Sequence, residues 1–110
     1  MKGTYLGEFE ELVLLTVGAL YPEAYGVAIM DDIKSETGRS VNISAIHSAM
    51  RRLEDKGFVK SFMGGATNER GGRRKRYFEL TSYGKKALDD AQSMRAKLYN
   101  RIPDISFGQS

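Results

Sequence analysis

Residues 64–81 read GGATNERGGRRKRYFELT, and five of the seven positions from 70 to 76 are cations: Arg70, Arg73, Arg74, Lys75 and Arg76. Glycines lead into and interrupt this cluster (Gly64, Gly65, Gly71, Gly72), and the strand-like run Tyr77–Phe78–Glu79–Leu80 follows it. Like charges at this density repel one another, so a folded domain carries them most readily where a polyanion neutralises them. A solvated loop is the other reading of the same residues. The segments upstream decide between the two.

Immediately upstream, Phe58–Met63 reads as a strand, and a second strand is predicted over Arg73–Leu80, so the glycine-bearing loop is the tip of a hairpin. Before it, Asn42 suits the N-cap of a helix over Ile43–Lys56 that Gly57 stops. Ile46, Ala49, Met50 and Leu53 form its buried face. Ser44, His47, Ser48, Arg51 and Asp55 recur at three- and four-residue spacing on the other. Two further helices precede it. Residues 7–20 place Phe9, Leu12, Val13, Val17 and Leu20 at helical spacing, with Leu14 and Leu15 widening the apolar surface so that this helix packs on two sides. Residues 26–37 carry a stripe of Tyr25, Ile29, Met30 and Ile33, with Gly38 as a C-terminal stop.

After the hairpin, Thr81 is an N-cap for a last helix over 82–102, ended by Pro103. Ala87, Ala91, Met94, Leu98 and Ile102 line one side at close to heptad spacing. Such a rod is roughly 30 Å long, and a domain this small does not cover its apolar face alone. A second copy of the chain is the natural cover, with Phe9 and Leu12 of the first helix joining the interface.

Composition agrees with one small soluble domain: 110 residues, 41% hydrophobic and 28% charged. The net charge of +3 conceals an uneven distribution. Residues 1–50 hold three cations against seven anions, residues 51–86 eleven against four, and residues 87–110 three against three. The middle section is therefore where a polyanion is expected. Lack of cysteine excludes disulfides, thiolate metal sites and a cysteine nucleophile. No apolar run reaches the roughly 18 residues of a membrane span, and no secretion signal is visible, so the chain reads as cytoplasmic with no membrane partner. Enzyme chemistry finds no footing either. There is no glycine-framed nucleophile, phosphate-cradling loop or carboxylate cluster at metal spacing, and the single His47 builds neither a triad nor a multi-histidine metal site. Neither a cofactor nor a metal is expected.

Helix, helix, helix, strand, basic loop, strand is the order of a winged helix-turn-helix, a mainly α (α+β) fold with a two-stranded wing and, here, a long C-terminal dimerisation helix. Three parts follow: residues 1–81 as the DNA-binding domain, 82–103 as the dimerisation helix, and 104–110 as a flexible tail. In such a fold the third helix enters the major groove of double-stranded DNA. Ser44, Ala45, His47, Ser48 and Arg51 would face the bases, and Arg70, Arg73, Arg74, Lys75 and Arg76 the phosphates or minor groove. Small residues early in the helix allow close approach.

The chain also resembles a short member of the PadR family of bacterial transcriptional regulators over roughly residues 3–100. The likeness rests on LGEFEELVLL (Leu6–Leu15), AYGVAI (Ala24–Ile29), RRLEDKGFV (Arg51–Val59) and above all ERGGRRKRYFELTSYGKKAL (Glu69–Leu88). It implies a homodimer that represses from palindromic operators and is relieved by small molecules. Family members usually carry tyrosine where this chain has His47. A planar apolar effector would meet Tyr5, Phe9, Met94 and Tyr99 where the first and last helices join a partner subunit, although no tryptophan is present to stack it. A winged-helix interaction module, its hairpin docked on an acidic protein, is the competing reading; the arginine-rich wing and small residues of the third helix favour DNA.

Overall fold

The computed structural model describes residues 6–64 and 74–107. Helices α1 (Glu8–Ala19), α2 (Gly26–Thr37) and α3 (Ile43–Asp55) come first. A hairpin of β1 (Val59–Met63) and β2 (Arg76–Leu80) follows, and then the long α4 (Ser82–Asn100). The strands pair antiparallel in the register Val59↔Leu80 to Met63↔Arg76.

Each boundary has a local cause. Asn42 Oδ1 accepts the Ala45 amide at 2.8 Å, and Thr81 Oγ1 accepts that of Gly84 at 2.9 Å, so α3 and α4 start on the two side chains expected to cap them. Gly38 ends α2 in the left-handed region at φ +75°. At the end of α3, the Gly57 amide donates to Glu54 O and that of Phe58 to Leu53 O, both at 2.9 Å, which turns the chain straight into β1. Gly57 takes φ +81° there. Phe58 and Leu53, joined by that turn, are both fully buried.

The core gathers Val13, Leu14 and Val17 from α1, Ile29 and Ile33 from α2, and Ile46, Ala49, Met50 and Leu53 from α3. Phe58, Val59, Phe78 and Leu88 close it from the hairpin and α4. Leu14 is buried as the widened α1 surface requires, whereas Leu15 is exposed.

Two expectations need correcting here. Tyr25 is not part of the α2 stripe: it is the N-cap residue, in extended conformation, and bridges to Tyr77 while the Phe78 amide donates to Ala24 O at 2.9 Å. Ala24 and Tyr25 thus act as a minimal third strand beside β2. The second strand is also shorter than predicted. It begins at Arg76, where the ladder pairs with Met63, and only a single further bond, from the Gly64 amide to Lys75 O at 2.6 Å, lies beyond it.

α4 is joined to the body by its first turns only. Gly84 and Leu88 are buried, Ala87 and Ala91 half-buried, and everything from Gln92 to Asn100 is exposed. Gly84 sits directly on the backbone of Phe58, where an added Cβ would lie 2.0 Å from the carbonyl oxygen. The helix stops at Asn100, two residues before the predicted end, so Ile102 lies in the turn that follows it. The projecting helix explains the extents of 61 × 36 × 21 Å and a radius of gyration of 17.1 Å. A compact chain of this length would have about 13 Å.

Candidate nucleic-acid interface

The outer face of α3 follows from its period. Burying Ile46, Ala49, Met50 and Leu53 leaves Ser44, His47, Ser48 and Arg51 exposed together, with Ala45 half-buried at the edge. α2 approaches this face closely because Gly26 has no side chain. A Cβ there would lie 3.0 Å from His47 Cε1 and 3.3 Å from Ile43 Cδ1. His47, though exposed, is therefore seated where α3 meets α2, with its Cε1 and Nε2 atoms next to Gly26.

The side of α3 turned to α1 is fastened by charge. Glu10 is 8% exposed, and its carboxylate accepts from Arg52 Nε at 2.7 Å and Lys56 Nζ at 2.6 Å. It also accepts the Gly7 amide at 3.4 Å. Burial alone pushes this carboxyl up, but hydrogen bonds from Lys56 and Arg52 outweigh it and hold the group below its usual value. Glu8 and Glu11, beside it in the first turn, reach Arg39 and Arg95 respectively, so α1 grips the end of α2, α3 and α4 through three glutamates. Exposed Glu8 is lowered by its hydrogen bond from Arg39.

The hairpin lies against α3 through Phe78, which is buried, and Arg76, on the same face of β2. Arg76 Nη1 donates to Ser61 Oγ at 2.9 Å, and Ser61 Oγ donates to Glu54 Oε2 at 2.8 Å, tying β2 to α3 through β1. These groups border a groove of about 380 Å³ lined by His47, Met50, Arg51, Glu54, Arg76 and Phe78. On the other face of β2, Tyr77 stacks on Phe62 at 5.9 Å and meets Tyr25 edge-on at 5.7 Å. Lys75 Nζ sits 4.3 Å above the Tyr25 ring. Arg74 Nε reaches back to Gly64 O at 3.3 Å. Arg70 and Arg73 fall outside the described residues.

A division among the cations emerges. Arg39, Arg52, Lys56, Lys60, Lys85, Lys86 and Arg95 each have a carboxylate partner. Among the described residues Arg51, Arg74, Lys75 and Arg76 have none, and neither do Lys34, Lys97 and Arg101. Four of the seven unpaired cations thus stand on the outer face of α3 and the adjoining hairpin.

The residues expected at a subunit interface separate into two groups. Phe9 and Leu12 are half-buried and pack against the monomer's own core, and the Phe9 ring carries the Arg39 guanidinium at 5.2 Å. Met94, Leu98 and Ile102 are more than half exposed. The four residues expected at one effector pocket are not gathered in one place. Met94 lines a groove of about 370 Å³ between α1 and α4 with Leu6, Glu11, Ala87, Asp90, Ala91 and Arg95. Tyr99 belongs to a separate depression near the α4 end with Leu98 and Ile102. Phe9 lies under Arg39 instead, and Tyr5 is outside the described residues. Met94 and Tyr99, five residues apart on α4, face about 140° away from each other around the helix.

The sequence reading overlooked Glu10 and the Arg76–Ser61–Glu54 relay. Glu10 had a detectable signal, since it shares the inner side of α1 with Leu14 and Val17 at four- and seven-residue spacing. The relay had none, because it joins residues from three elements. Among the described residues no cluster of side chains is arranged to hold a metal, and no helix is long and apolar enough to cross a membrane.

Three helices, with a hairpin packed beside the third and a brief strand ahead of the second, define a winged helix-turn-helix protein. Within that class the chain belongs to the PadR-like family of transcriptional regulators, whose family model matches residues 13–90. Its relatives are transcription factors rather than enzymes. Solved structures share the fold. A PadR-like transcription factor from Bacteroides fragilis has a TM-score of 0.73 at 19% identity, covering 86% of this chain and 85% of its own. A PadR family regulator from Clostridium difficile R20291 has 0.72 at 21%, covering 86% and 93%. Bacillus subtilis PadR, solved in complex with operator DNA, has 0.64 at 21%, covering 93% of this chain and 51% of that longer one. No curated protein matches the chain at a significant level.

Proposed function

We propose that this regulator is a homodimeric repressor that binds a palindromic DNA operator, with residues 1–81 forming the DNA-binding part and α4 the dimerisation helix. The outer face of α3 (Ser44, Ala45, His47, Ser48 and Arg51) reads the major groove, and Arg70, Arg73, Arg74, Lys75 and Arg76 of the wing hold the backbone. The observation that carries this reading is the set of cations without carboxylate partners: Arg51, Arg74, Lys75 and Arg76 lie on α3 and the adjoining hairpin, while the cations around α1 and along the start of α4 are neutralised within the fold. Unpaired cations keep their full attraction for phosphate, whereas paired ones must first give up a partner.

A winged helix carries one reading helix per subunit, so a palindrome needs two copies spaced about one DNA turn apart, roughly 34–36 Å. The exposed stripe of Met94, Leu98 and Ile102 supports α4 as the element that joins them. A planar apolar effector is a further part of the proposal. The α1–α4 groove, with Leu6, Ala87, Ala91 and Met94 on its walls, offers it a place next to the subunit contact.

The test is a binding titration against duplexes selected from a random pool. If about 6–10 phosphates are neutralised per dimer, affinity falls roughly 10³–10⁵-fold between 50 and 200 mM salt. Arg51→Ala relaxes base preference at one position of each half-site if it reads a base, by about 1–3 kcal/mol. Binding without salt dependence or sequence preference would refute the proposal and favour an acidic protein partner.

A further inference from the structure

We propose that the groove between α3 and β2 is a built site for one backbone phosphodiester, in which Arg76 binds the phosphate and Ser61 and Glu54 are the residues that position it. The inference rests on the DNA-binding reading and deepens it, because it moves Arg76 from the wing cluster to the flank of the reading helix.

Geometry separates Arg76 from the other described cations of the hairpin. Arg74 turns back to Gly64 O, and Lys75 is parked over the Tyr25 ring. Arg76 shares a face with buried Phe78 and is the described hairpin cation that lines the groove with Arg51 and Glu54 of α3, whereas Lys75 borders the neighbouring depression beside Tyr25, Ile43 and His47. A free arginine on a strand samples many rotamers and loses that freedom on binding. Here one Nη1–H is already spent on Ser61 Oγ at 2.9 Å, and Ser61 is held in turn by Glu54 Oε2 at 2.8 Å. The hydroxyl donates to the carboxylate, so its lone pairs face the guanidinium and fix its plane. Among the described residues the remaining donors of Arg76 have no protein acceptor, and those of Arg51 on the facing helix have none either.

The charge balance selects the ligand. Arg51 and Arg76 stand against Glu54, leaving the groove one positive charge in excess, with His47 at its rim. Glu54 opposes an anion in general, but its Oε2 already accepts from Ser61. A volume of about 380 Å³ open to solvent admits a phosphate group from outside. The guanidinium fork matches two oxygens of a phosphodiester. Because the groove adjoins the exposed face of α3, the phosphate it takes is one flanking the bases which that helix reads.

The duplex recovered by selection with the wild-type protein serves as probe. Arg76→Gln should weaken every sequence about equally, roughly tenfold, and lower the salt slope by about 0.9 per subunit. Replacing phosphates one at a time by uncharged methylphosphonate should reveal one position per half-site that weakens wild-type binding but leaves Arg76→Gln unaffected. Ser61→Ala should weaken wild-type binding several-fold yet change Arg76→Gln less than about twofold, as expected for residues acting through one another, and Ser61→Thr should restore it. A flat methylphosphonate scan, or Ser61→Ala and Arg76→Gln effects that simply add, overturns the assignment. So does perturbation of the Arg76 and Ser61 signals by inorganic phosphate alone with a flat scan, which would make the site one for free phosphate. If the wild-type protein selects no duplex at all, the DNA-binding reading itself has failed.

Discussion

Substituting Gly84 by alanine tests the joint on which α4 stands. The added Cβ would fall 2.0 Å from Phe58 O, 2.9 Å from its carbonyl carbon and 3.1 Å from its Cα. These are backbone atoms flanked by the α3 turn and β1, so neither side can yield by a rotamer change. Relief requires the first turn of α4 to lift by more than an ångström. That movement breaks the Thr81 cap at 2.9 Å and strains the bond from Thr81 Oγ1 to Gly57 O at 2.7 Å. Overpacking costs about 1–3 kcal/mol and the lost cap about 1. Alanine's better helix propensity returns up to about 1. The net loss is roughly 1–4 kcal/mol, a drop of about 4–17 °C in Tm for a domain of this size. Thermal unfolding followed by circular dichroism measures it, with Ser82→Ala, an exposed position in the same turn, as the control expected to stay within about 0.5 kcal/mol. A Gly84→Ala protein melting within about 2 °C of wild type would refute the claim that α4 is seated on the Phe58 backbone.

Glu10→Gln should cost about 1–3 kcal/mol in urea unfolding, because two charge-assisted hydrogen bonds become neutral ones while Arg52 and Lys56 partly rehydrate. The folded carboxyl lies below its ordinary value, so its contribution is complete above the unfolded value near about 4.3 and is lost as pH falls through the folded value. The gap between wild type and Glu10→Gln should therefore narrow as pH falls below about 4.3 and vanish once the folded carboxyl is protonated, and a gap that does not change with acidification would remove the ion pairs as its cause. Met94→Glu with Leu98→Glu should convert the proposed dimer to a monomer by light scattering while leaving the fold intact, since both side chains are exposed in the single chain. Loss of the folded signal in that variant would mean that the stripe serves the monomer core instead.

Local signals were legible from the residues alone wherever one segment carried the whole cause. The buried and exposed faces of α3 follow from its period, and Asn42, Thr81, Gly38 and Gly57 act as caps and stops where their chemistry predicts. The uncovered stripe of α4 is likewise a matter of spacing. Where two helix turns or a pairing partner set the outcome, the reading slipped. The β1–β2 ladder ends at Met63↔Arg76, with one further backbone bond from the Gly64 amide to Lys75 O, and Tyr25 joins the sheet because β2 arrives beside it from about fifty residues away.

Charge shows the same boundary more sharply. The sequence by itself determined that residues 51–86 are strongly basic and that a winged helix presents them. It could not sort one cation from another, because pairing depends on which carboxylate the fold brings within about 3 Å. Only tertiary structure brings Arg52 across to Glu10 while its neighbour Arg51 faces away from α1, a consequence of the 100° turn between consecutive helical residues and of where α1 packs. Only tertiary structure places Ser61 and Glu54 behind Arg76, joining three elements through one hydroxyl. Periodicity and capping act within a segment and are written in its residues, whereas an ion pair across 42 positions exists only once the chain has closed on itself.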